Sequence, residues 1–275
     1  MLPRVVILRN PAKPDAETKM ASLVEAMGGR AEVVACGLVG DAAGYVDLEP
    51  DRFIVLGGDG SILAAARGLG SRQRPIVGVN FGKLGYLAEF SFEDLLGNLQ
   101  RALTDPAMVT RRMMIEGSVS RDGRELSRGL AVNDFVLNAG PPYRMIELAL
   151  AVDGIPLSTI SGDGLVLATP NGSTAHNLAV GGPIMQSTVR AIAVSPIAAH
   201  SLTHRPLVVD GDSTVEVVAL RVNEGSSVVV DGQVSWSIGA GDRLTVRRFS
   251  RDFLLVHNPA HPCWYPLTTK LKWGM

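Results

Sequence analysis

The stretch FIVLGGDGSILAAARG, residues 53–68, determines how we interpret the first part of the chain. Four apolar residues, 53–56, have the length and composition of a short buried strand. Three glycines and Asp59 follow at once, and residues 62–69 then favour a helix because apolar and small side chains recur there. A strand that leads through glycines into a helix is typical of an α/β domain.

Similar alternation extends over the first hundred residues. The pattern predicts further strands at residues 5–8, 31–35 and 76–79, and a helix that begins near Glu17 and ends at the glycine pair 28–29. Ser91 with Asp94 three residues later predicts a capping box for another helix that reaches about Leu103. Strands that alternate with helices predict a parallel sheet covered by helices.

The pattern changes near Pro106, after which strand signals dominate. The segments 152–157 and 228–238 each contain Asp-Gly between β-branched residues, which predicts two hairpins. Residues 215–222 and 244–247 are also β-branched, and only about 173–179 favour a helix. We therefore predict an α/β domain over residues 1–105 and a β-rich, sandwich-like domain over 106–250. Whether the segment 250–275 returns to the first domain is left open by the sequence.

The glycine cluster has the outline of a phosphate site. Glycines let the backbone approach an anion, and the N-terminus of the following helix offers free N–H groups. The dinucleotide fingerprint G-x-G-x-x-G fails because Leu63 stands at the place of its last glycine. Asp59 would repel a bound phosphate unless it partners Mg²⁺ or accepts a hydroxyl proton. A structural alternative is that Asp59 is only the N-cap of the helix.

Composition limits the kind of function. The 275 residues carry a net charge of −1, which argues against nucleic acid as a partner. No apolar run is long enough to span a bilayer, so we expect no membrane association, and the N-terminus lacks the pattern of a signal peptide. Cys36 and Cys263 are isolated, with no metal-ligand spacing, which favours the reducing cytoplasm.

A second polar cluster is denser than the first. In SGDGLVLATPNGSTAHNLAVGGPIM, residues 161–185, two turns rich in glycine and hydroxyl groups flank a short apolar strand. Short side chains and exposed backbone groups at such turns suit the recognition of a ribose, a phosphate or an adenine edge. The structural alternative is a β domain with glycine-rich turns.

Several segments together resemble the NAD kinase family. They are GGDGS at 57–61, VNDFVL at 132–137, GDGLVLATPNGSTAHNLAVGGP at 162–183, SPIAAHSLTHRPLVV at 195–209 and DGQ at 231–233. GGDG alone is shared with lipid kinases of the diacylglycerol kinase type and with phosphofructokinases, whereas the long segment 162–183 is specific. The resemblance covers residues 53 to about 247, and it implies the two-domain NAD kinase architecture.

The resemblance also implies roles for individual residues. Asp59 would be the catalytic proton acceptor, and Gly60 would contact the nucleotide. Asn133 and Asp134 match the Asn-Glu/Asp pair that binds the dinucleotide in the family. The chemistry agrees, since a carboxylate accepts from two vicinal hydroxyls while an amide both donates and accepts. The other residues implied to bind the dinucleotide are Arg144, Ser161, Asp163, Thr174, Ala175, His176, Asn177, Leu178, Ala179 and Gln233. The resemblance assigns no side chain of this sequence as a metal ligand.

Within the segments that carry the resemblance, this chain departs from the family pattern at three positions. Ser61 replaces the usual Thr but keeps a hydroxyl, Asn171 replaces a Thr, and His176 replaces a Tyr. His176 keeps a flat ring that could stack or hydrogen-bond, but it loses the phenol. These changes affect the expected geometry of the substrate and not the expected reaction.

The expected activity is transfer of the γ-phosphoryl group of ATP, or of a polyphosphate phosphoryl group, to the 2′-hydroxyl of the adenosine ribose of NAD. Mg²⁺ or another divalent cation would accompany ATP, and no permanently bound cofactor is expected. The family further implies a homodimer or homotetramer. Two alternatives are a lipid kinase of the diacylglycerol kinase type and a non-catalytic NAD(H)-binding sensor.

Overall fold

The computed structural model describes residues 1–82, 85–262 and 264–273. Cys263, used above to infer the compartment, lies outside the described residues. The chain divides into two compact units. The first comprises residues 1–111 together with 253–275, and the second comprises residues 112–252.

The helices and strands follow in chain order. The helices are α1 (Ala16–Ala26), α2 (Asp59–Leu69), α3 (Phe92–Thr104), α4 (His176–Ala179) and α5 (Tyr265–Thr269), with 3₁₀ helices at Val39–Leu48, Pro106–Met108 and Gly172–Thr174. The strands are β1 (Arg4–Arg9), β2 (Glu32–Leu38), β3 (Arg52–Leu56), β4 (Ile76–Val79), β5 (Val109–Arg112), β6 (Ile115–Arg121), β7 (Arg124–Ala131), β8 (Asp134–Asn138), β9 (Ile146–Val152), β10 (Ile155–Gly162), β11 (Gly164–Ala168), β12 (Ala191–Ile197), β13 (Leu207–Asp210), β14 (Val215–Arg221), β15 (Ser227–Val230), β16 (Val234–Ser237), β17 (Arg243–Arg248) and β18 (Phe253–Val256).

The first unit is built on a sheet of order β2-β1-β3-β4-β18-β5. The pairs β1–β2, β1–β3, β3–β4 and β4–β18 are parallel. From β1 the chain moves outward to β2 and then returns to place β3 on the other side of β1. The boundary between β1 and β3 is therefore a topological switch point, where α/β sheets bind ligands at the carboxyl ends of their strands.

Local signals explain the elements of this unit. Ser91 and Asp94 form the predicted capping box of α3, with the Asp94 N–H donating to Ser91 Oγ at 3.0 Å and the Ser91 N–H to Asp94 Oδ2 at 3.2 Å. Every residue of β4 is buried, which explains its continuous apolar run. The pairing of β18 with β4 shows that the end of the chain returns to the first sheet.

The second unit contains two antiparallel sheets. Their strand orders are β10-β9-β14-β17-β6-β7 and β13-β12-β11-β8-β15-β16. Both predicted Asp-Gly hairpins are confirmed, because β9 pairs antiparallel with β10 and β15 with β16. The turn residues have left-handed φ values, 51° and 76° at Asp153 and Gly154, and 48° and 67° at Asp231 and Gly232. A third turn of this kind, Asp122-Gly123, joins β6 to β7 and escaped prediction.

The core of this unit lies between the two sheets. It is formed by alternate residues of the facing strands, which include Val119 and Leu244 from one sheet and Phe135 and Leu165 from the other. Gly117 leaves room for the ring of Phe135, since a Cβ there would lie 2.6 Å from the ring. The α/β unit with a parallel sheet and the β-rich unit confirm the predicted fold class.

The second sheet of this unit is buried on both faces at its centre. Val136, Val166, Ala168 and Ala193 point away from the main core and pack against Val180 and Met185. The segment 169–186, which follows β11, therefore covers this face of the sheet. That segment includes most of the second polar cluster of the sequence.

Candidate active site

Asp59 lies at the switch point of the parallel sheet. It directly follows β3 and the glycine pair 57–58, and it is the first residue of α2. Asn10, at the end of β1, donates from Nδ2 to Ser61 Oγ at 2.9 Å, which links the ends of the two neighbouring strands. Gly58 is the N-cap of α2 and Asp59 makes no side-chain cap, so the structural alternative for Asp59 is wrong.

The Asp59 carboxylate is held by three consecutive backbone N–H groups from a distant loop. Tyr86 donates to Oδ2 at 2.8 Å, and Leu87 and Ala88 each donate to Oδ1 at 3.0 Å. Each carboxylate oxygen has two lone-pair sites. Oδ1 accepts two of these bonds and Oδ2 accepts one, so Oδ2 is the oxygen with room for a further donor such as a hydroxyl.

Gly85 is what allows this loop to reach the carboxylate. A Cβ at Gly85 would lie 1.8 Å from Asp59 Oδ1, a distance that no side chain can occupy. The loop is in turn attached to the returning end of the chain. Glu89 accepts from the Asn258 N–H at 3.0 Å through Oε2, and its backbone carbonyl accepts from Asn258 Nδ2 at 3.2 Å.

A lysine near the end of the chain also lies beside this loop. Lys270 Nζ is 4.8 Å from the centre of the Tyr86 ring, within the range of a cation–π contact. Burial lowers the pKa of Lys270, and the negative charge of Asp59 opposes this change. Burial also raises the pKa of the Tyr86 hydroxyl, and the charge of Asp59 adds to that shift. Lys270 thus brings a positive charge within electrostatic reach of Asp59.

In the second unit, Asn133 and Asp134 are held by another carboxylate. Asp231 Oδ1 accepts the N–H groups of Asn133 at 2.8 Å and Asp134 at 3.1 Å, and its Oδ2 accepts that of Val132 at 3.1 Å. Asp231 is 8% exposed. Two aspartates of this chain, Asp59 and Asp231, therefore each bind three consecutive N–H groups.

Asp134 is a buried acid with an unusual environment. The residue is 4% exposed. Burial, reinforced by the like charge of Asp231, raises the pKa of Asp134 to about 7, and a hydrogen bond from the backbone of His176 opposes the shift. Near neutral pH this group can therefore donate or accept a hydrogen bond, which suits contact with a hydroxyl.

The segment that follows β11 lies at the same end of the sheet as Asn133 and Asp134. Thr169 donates its N–H to the Asn133 carbonyl at 2.8 Å, which joins this segment to the pair. His176 is exposed, and Thr174, Ala175 and Leu178 are partly buried, so parts of these residues remain accessible. Ala179 is also exposed.

Asn177 differs from its neighbours because its side chain is fully buried. Its Nδ2 donates to the carbonyls of Ser173 at 3.2 Å and Pro183 at 3.0 Å, and its Oδ1 accepts from Ser195 Oγ at 2.7 Å. This side chain holds the covering segment on the sheet. A direct contact of Asn177 with the dinucleotide stays a prediction.

The remaining residues divide between the two ends of this sheet. Gln233 is exposed just after the Asp231-Gly232 turn, at the end that carries Asp134, since the Asp231 N–H donates to the Asp134 carbonyl at 3.0 Å. Ser161 and Asp163 precede β11 and therefore lie at its opposite end, about 17 Å away along the strand. Arg144 is exposed in the loop after β8, also at that far end. Within a single chain, Arg144, Ser161 and Asp163 therefore do not lie next to Asn133.

The site contains residues that no motif of the sequence indicated. Gly85, the N–H groups of Tyr86, Leu87 and Ala88, and Lys270 surround Asp59. Asp231 was predicted as a turn residue and as part of the DGQ segment, but not as the group that holds Asn133 and Asp134. Within residues 1–82, 85–262 and 264–273, no group of three or more His, Cys, Asp and Glu side chains is arranged to hold a metal ion. Over the same residues, no helix has both the length and the apolar character needed to cross a membrane.

Comparison with known proteins agrees with this geometry. Residues 6–107 match the ATP-NAD kinase N-terminal domain, and residues 132–258 match the ATP-NAD kinase C-terminal domain. An NAD kinase of Rhodopirellula baltica is 37% identical over 272 residues, which is 99% of this chain and 87% of that protein.

Two solved structures are also similar. An NAD kinase from Archaeoglobus fulgidus in complex with ATP has a TM-score of 0.76 and 27% identity, and the match covers 93% of this chain and 94% of that one. Yeast NADH kinase complexed with NADH has a TM-score of 0.87 over 99% of this chain and 88% of that one. At 24% identity, the yeast protein supports the fold only.

The fold, the aspartate at the switch point and these matches define a kinase of the nucleotide-binding type. The chain belongs to the NAD kinase family, and it is an enzyme whose function is the phosphorylation of NAD. Neither the lipid-kinase alternative nor the sensor alternative is supported by these matches.

Proposed function

We propose that this chain transfers the γ-phosphoryl group of ATP, or a phosphoryl group of polyphosphate, to the 2′-hydroxyl of the adenosine ribose of NAD, which gives NADP. The observation that carries this proposal is the Asp59 carboxylate, fixed by three N–H groups at the switch point with acceptor capacity left on Oδ2. A fixed carboxylate with one open lone pair suits a hydroxyl that must be oriented and must lose its proton.

In this mechanism the ribose 2′-oxygen forms a bond to the γ-phosphorus while the bond from that phosphorus to the β,γ-bridging oxygen breaks. The hydroxyl proton passes to Asp59, and ADP leaves. A loose phosphoryl-transfer transition state needs little basicity from the acceptor, so orientation of the hydroxyl is the larger part of its role. Gly60, at the exposed start of α2, would offer its backbone to the nucleotide.

Recognition of the dinucleotide is assigned to the second unit. Asn133 and Asp134 would bind vicinal ribose hydroxyls, and residues 174–179 would line the adenine and its ribose. Gln233 would contact the same ligand from the neighbouring turn. Support comes from the position of these groups at one end of the sheet and from the accessible side chains of His176 and Gln233.

Mg²⁺ or another divalent cation would arrive with ATP. The described residues offer no group of three or more candidate ligands, so the cation would be held mainly by phosphate oxygens and water. When bound, it would offset the negative charge of the triphosphate. We also expect the reaction to take place in the cytoplasm, where an exposed thiol such as Cys36 stays reduced.

The proposed function is tested with the purified chain, NAD, ATP and Mg²⁺. NADP is expected, and a dehydrogenase that accepts only NADP measures it. Polyphosphate in place of ATP tests the second donor. Failure to form NADP with either donor, while NAD still binds, would contradict the proposal and favour a sensor.

We further propose that the active protein is a homodimer or homotetramer in which Arg144, Ser161 and Asp163 serve the ligand bound by a neighbouring chain. Support comes from their position at the end of β11 opposite to Asn133. Asp134→Ala and Asp163→Ala chains are each expected to be impaired. Mixed oligomers of the two variants should recover activity that neither parent shows, because some sites would then contain both intact aspartates.

The control for this experiment is the same mixture without subunit exchange. Sedimentation would establish the oligomeric state before the two variants are combined. A monomer, or a mixture no more active than its parents after exchange, would contradict the shared-site proposal.

A further inference from the structure

A chain of hydrogen bonds leads from a positive charge to the side chain of Asn133. Arg112 Nη1 donates to Asn171 Oδ1 at 3.0 Å, and Asn171 Nδ2 donates to Asn133 Oδ1 at 2.7 Å. All three residues belong to the second unit.

The chemistry of the groups gives this chain of bonds a direction. A guanidinium group only donates, so Asn171 must turn its amide oxygen toward Arg112. Its NH₂ group then faces Asn133, which must present its own oxygen in return. The NH₂ group of Asn133 is thereby directed away from Asn171 and is available to a ligand.

The backbone around Asn133 is fixed as well. Its N–H donates to Asp231 at 2.8 Å, and its carbonyl accepts from the Thr169 N–H at 2.8 Å. A Cβ at Gly172 would lie 2.2 Å from the Asn133 carbonyl oxygen, so the turn that carries Asn171 packs directly on Asn133. Asn171 itself is 8% exposed. With the backbone fixed, the side-chain torsions χ1 and χ2 are the remaining freedom of Asn133, and they set the direction of its amide.

We propose that Arg112 and Asn171 are positioning residues that orient the Asn133 amide so that its NH₂ group donates to the dinucleotide. The inference rests on the proposed function, in which Asn133 binds NAD. Asn133 then supplies a donor beside the acid of Asp134, and this combination matches two neighbouring ribose hydroxyls.

The test is a double-mutant cycle on NAD binding. Asn171→Ala is expected to raise KM and Kd for NAD by about 3- to 10-fold, the effect of one hydrogen bond, and to leave kcat nearly unchanged. In an Asn133→Ala background the same change should have no further effect, because its target is gone. Equal effects of Asn171→Ala in both backgrounds, or an unchanged KM, would overturn the inference.

Arginine variants provide the control. Arg112→Lys retains a donor-only group and should keep most of the affinity, whereas Arg112→Met should behave like Asn171→Ala. Arg111, the exposed neighbour of Arg112 on β5, is the matched control, and Arg111→Met should leave KM unchanged. Thermal unfolding of each variant separates a loss of fold from a loss of orientation. If Arg112→Met binds NAD as tightly as the wild type, the inference is overturned.

These outcomes are distinguishable from failure of the proposed function. A wild-type chain that forms NADP, with Asn171→Ala at the wild-type KM, would overturn only the positioning role. A wild-type chain that neither binds NAD nor forms NADP would overturn both.

Discussion

Asp59→Asn is expected to lower kcat by about 10²- to 10⁴-fold, the range for loss of a positioned general base. The amide cannot accept the proton of the ribose hydroxyl, and its NH₂ group would oppose one of the N–H donors that fix the carboxylate, so the hydroxyl also loses its orientation. NAD affinity should change little, because in the proposed mechanism Asp59 acts on the reacting hydroxyl and other residues hold the dinucleotide. Steady-state kinetics combined with NAD titration measures both quantities.

Two glycine variants test whether turnover depends on the position of the Asp59 carboxylate as well as on its presence. Gly85→Ala places a Cβ 1.8 Å from Asp59 Oδ1 and must displace the carboxylate or the loop, so kcat should fall although Asp59 is intact. Gly82→Ala is the matched control, since a Cβ at Gly82 has no atom within 4 Å, and kcat should stay at the wild-type value. Normal turnover in Gly85→Ala would show that the loop does not need to hold Asp59 in place.

Asp134→Asn is expected to stabilise the fold while it weakens NAD binding. The wild-type carboxylate is buried beside Asp231, and its raised pKa means that the folded chain disfavours its charge. An asparagine carries no charge and keeps an oxygen for the N–H of His176. Above pH 7 the gain in unfolding free energy should be several kcal/mol, because each pKa unit corresponds to about 1.4 kcal/mol.

The pH dependence of this gain follows from the two pKa values. Between 3.8, the ordinary value, and about 7, the folded chain binds a proton at Asp134 that the unfolded chain has released. Wild-type stability from this group therefore falls as pH rises through that window. The difference between Asp134→Asn and the wild type should be small near pH 4, grow up to pH 7 and level off above it.

Calorimetric unfolding from pH 4 to 8 tests this expectation. Asp122→Asn is the control, because Asp122 lies in an exposed turn of the same unit where asparagine tolerates the positive φ. That variant should show no comparable pH-dependent gain. A stability difference for Asp134→Asn that does not change with pH would refute the raised pKa.

Much of the fold was predictable because its signals are local. Apolar runs, the capping box at Ser91 and the Asp-Gly turns each depend on a few neighbouring residues. The strand at residues 76–79 was predicted with its observed bounds. The Asp122-Gly123 turn was missed because β7 and the end of β6 are polar and largely exposed, which hides the strand pattern on both sides of the turn.

The site was predictable only in part, because its supporting contacts join distant residues. Asp59 binds N–H groups 27 to 29 positions away, and Asp231 binds N–H groups 97 to 99 positions away. No spacing rule describes such contacts. The motif 162–183 also contains a whole strand, so its two ends lie at opposite ends of that strand, which a linear pattern cannot reveal.

We propose that Asp59 faces the 2′-hydroxyl of the adenosine ribose, and acceptor analogues can test this claim. Initial rates of phosphoryl transfer from ATP would be measured with NAD and with its analogue that lacks the adenosine 2′-hydroxyl. NAD should be converted to NADP, and the 2′-deoxy analogue should bind as a competitive inhibitor without accepting phosphate. Phosphorylation of the 2′-deoxy analogue at a rate close to that of NAD would contradict the claim.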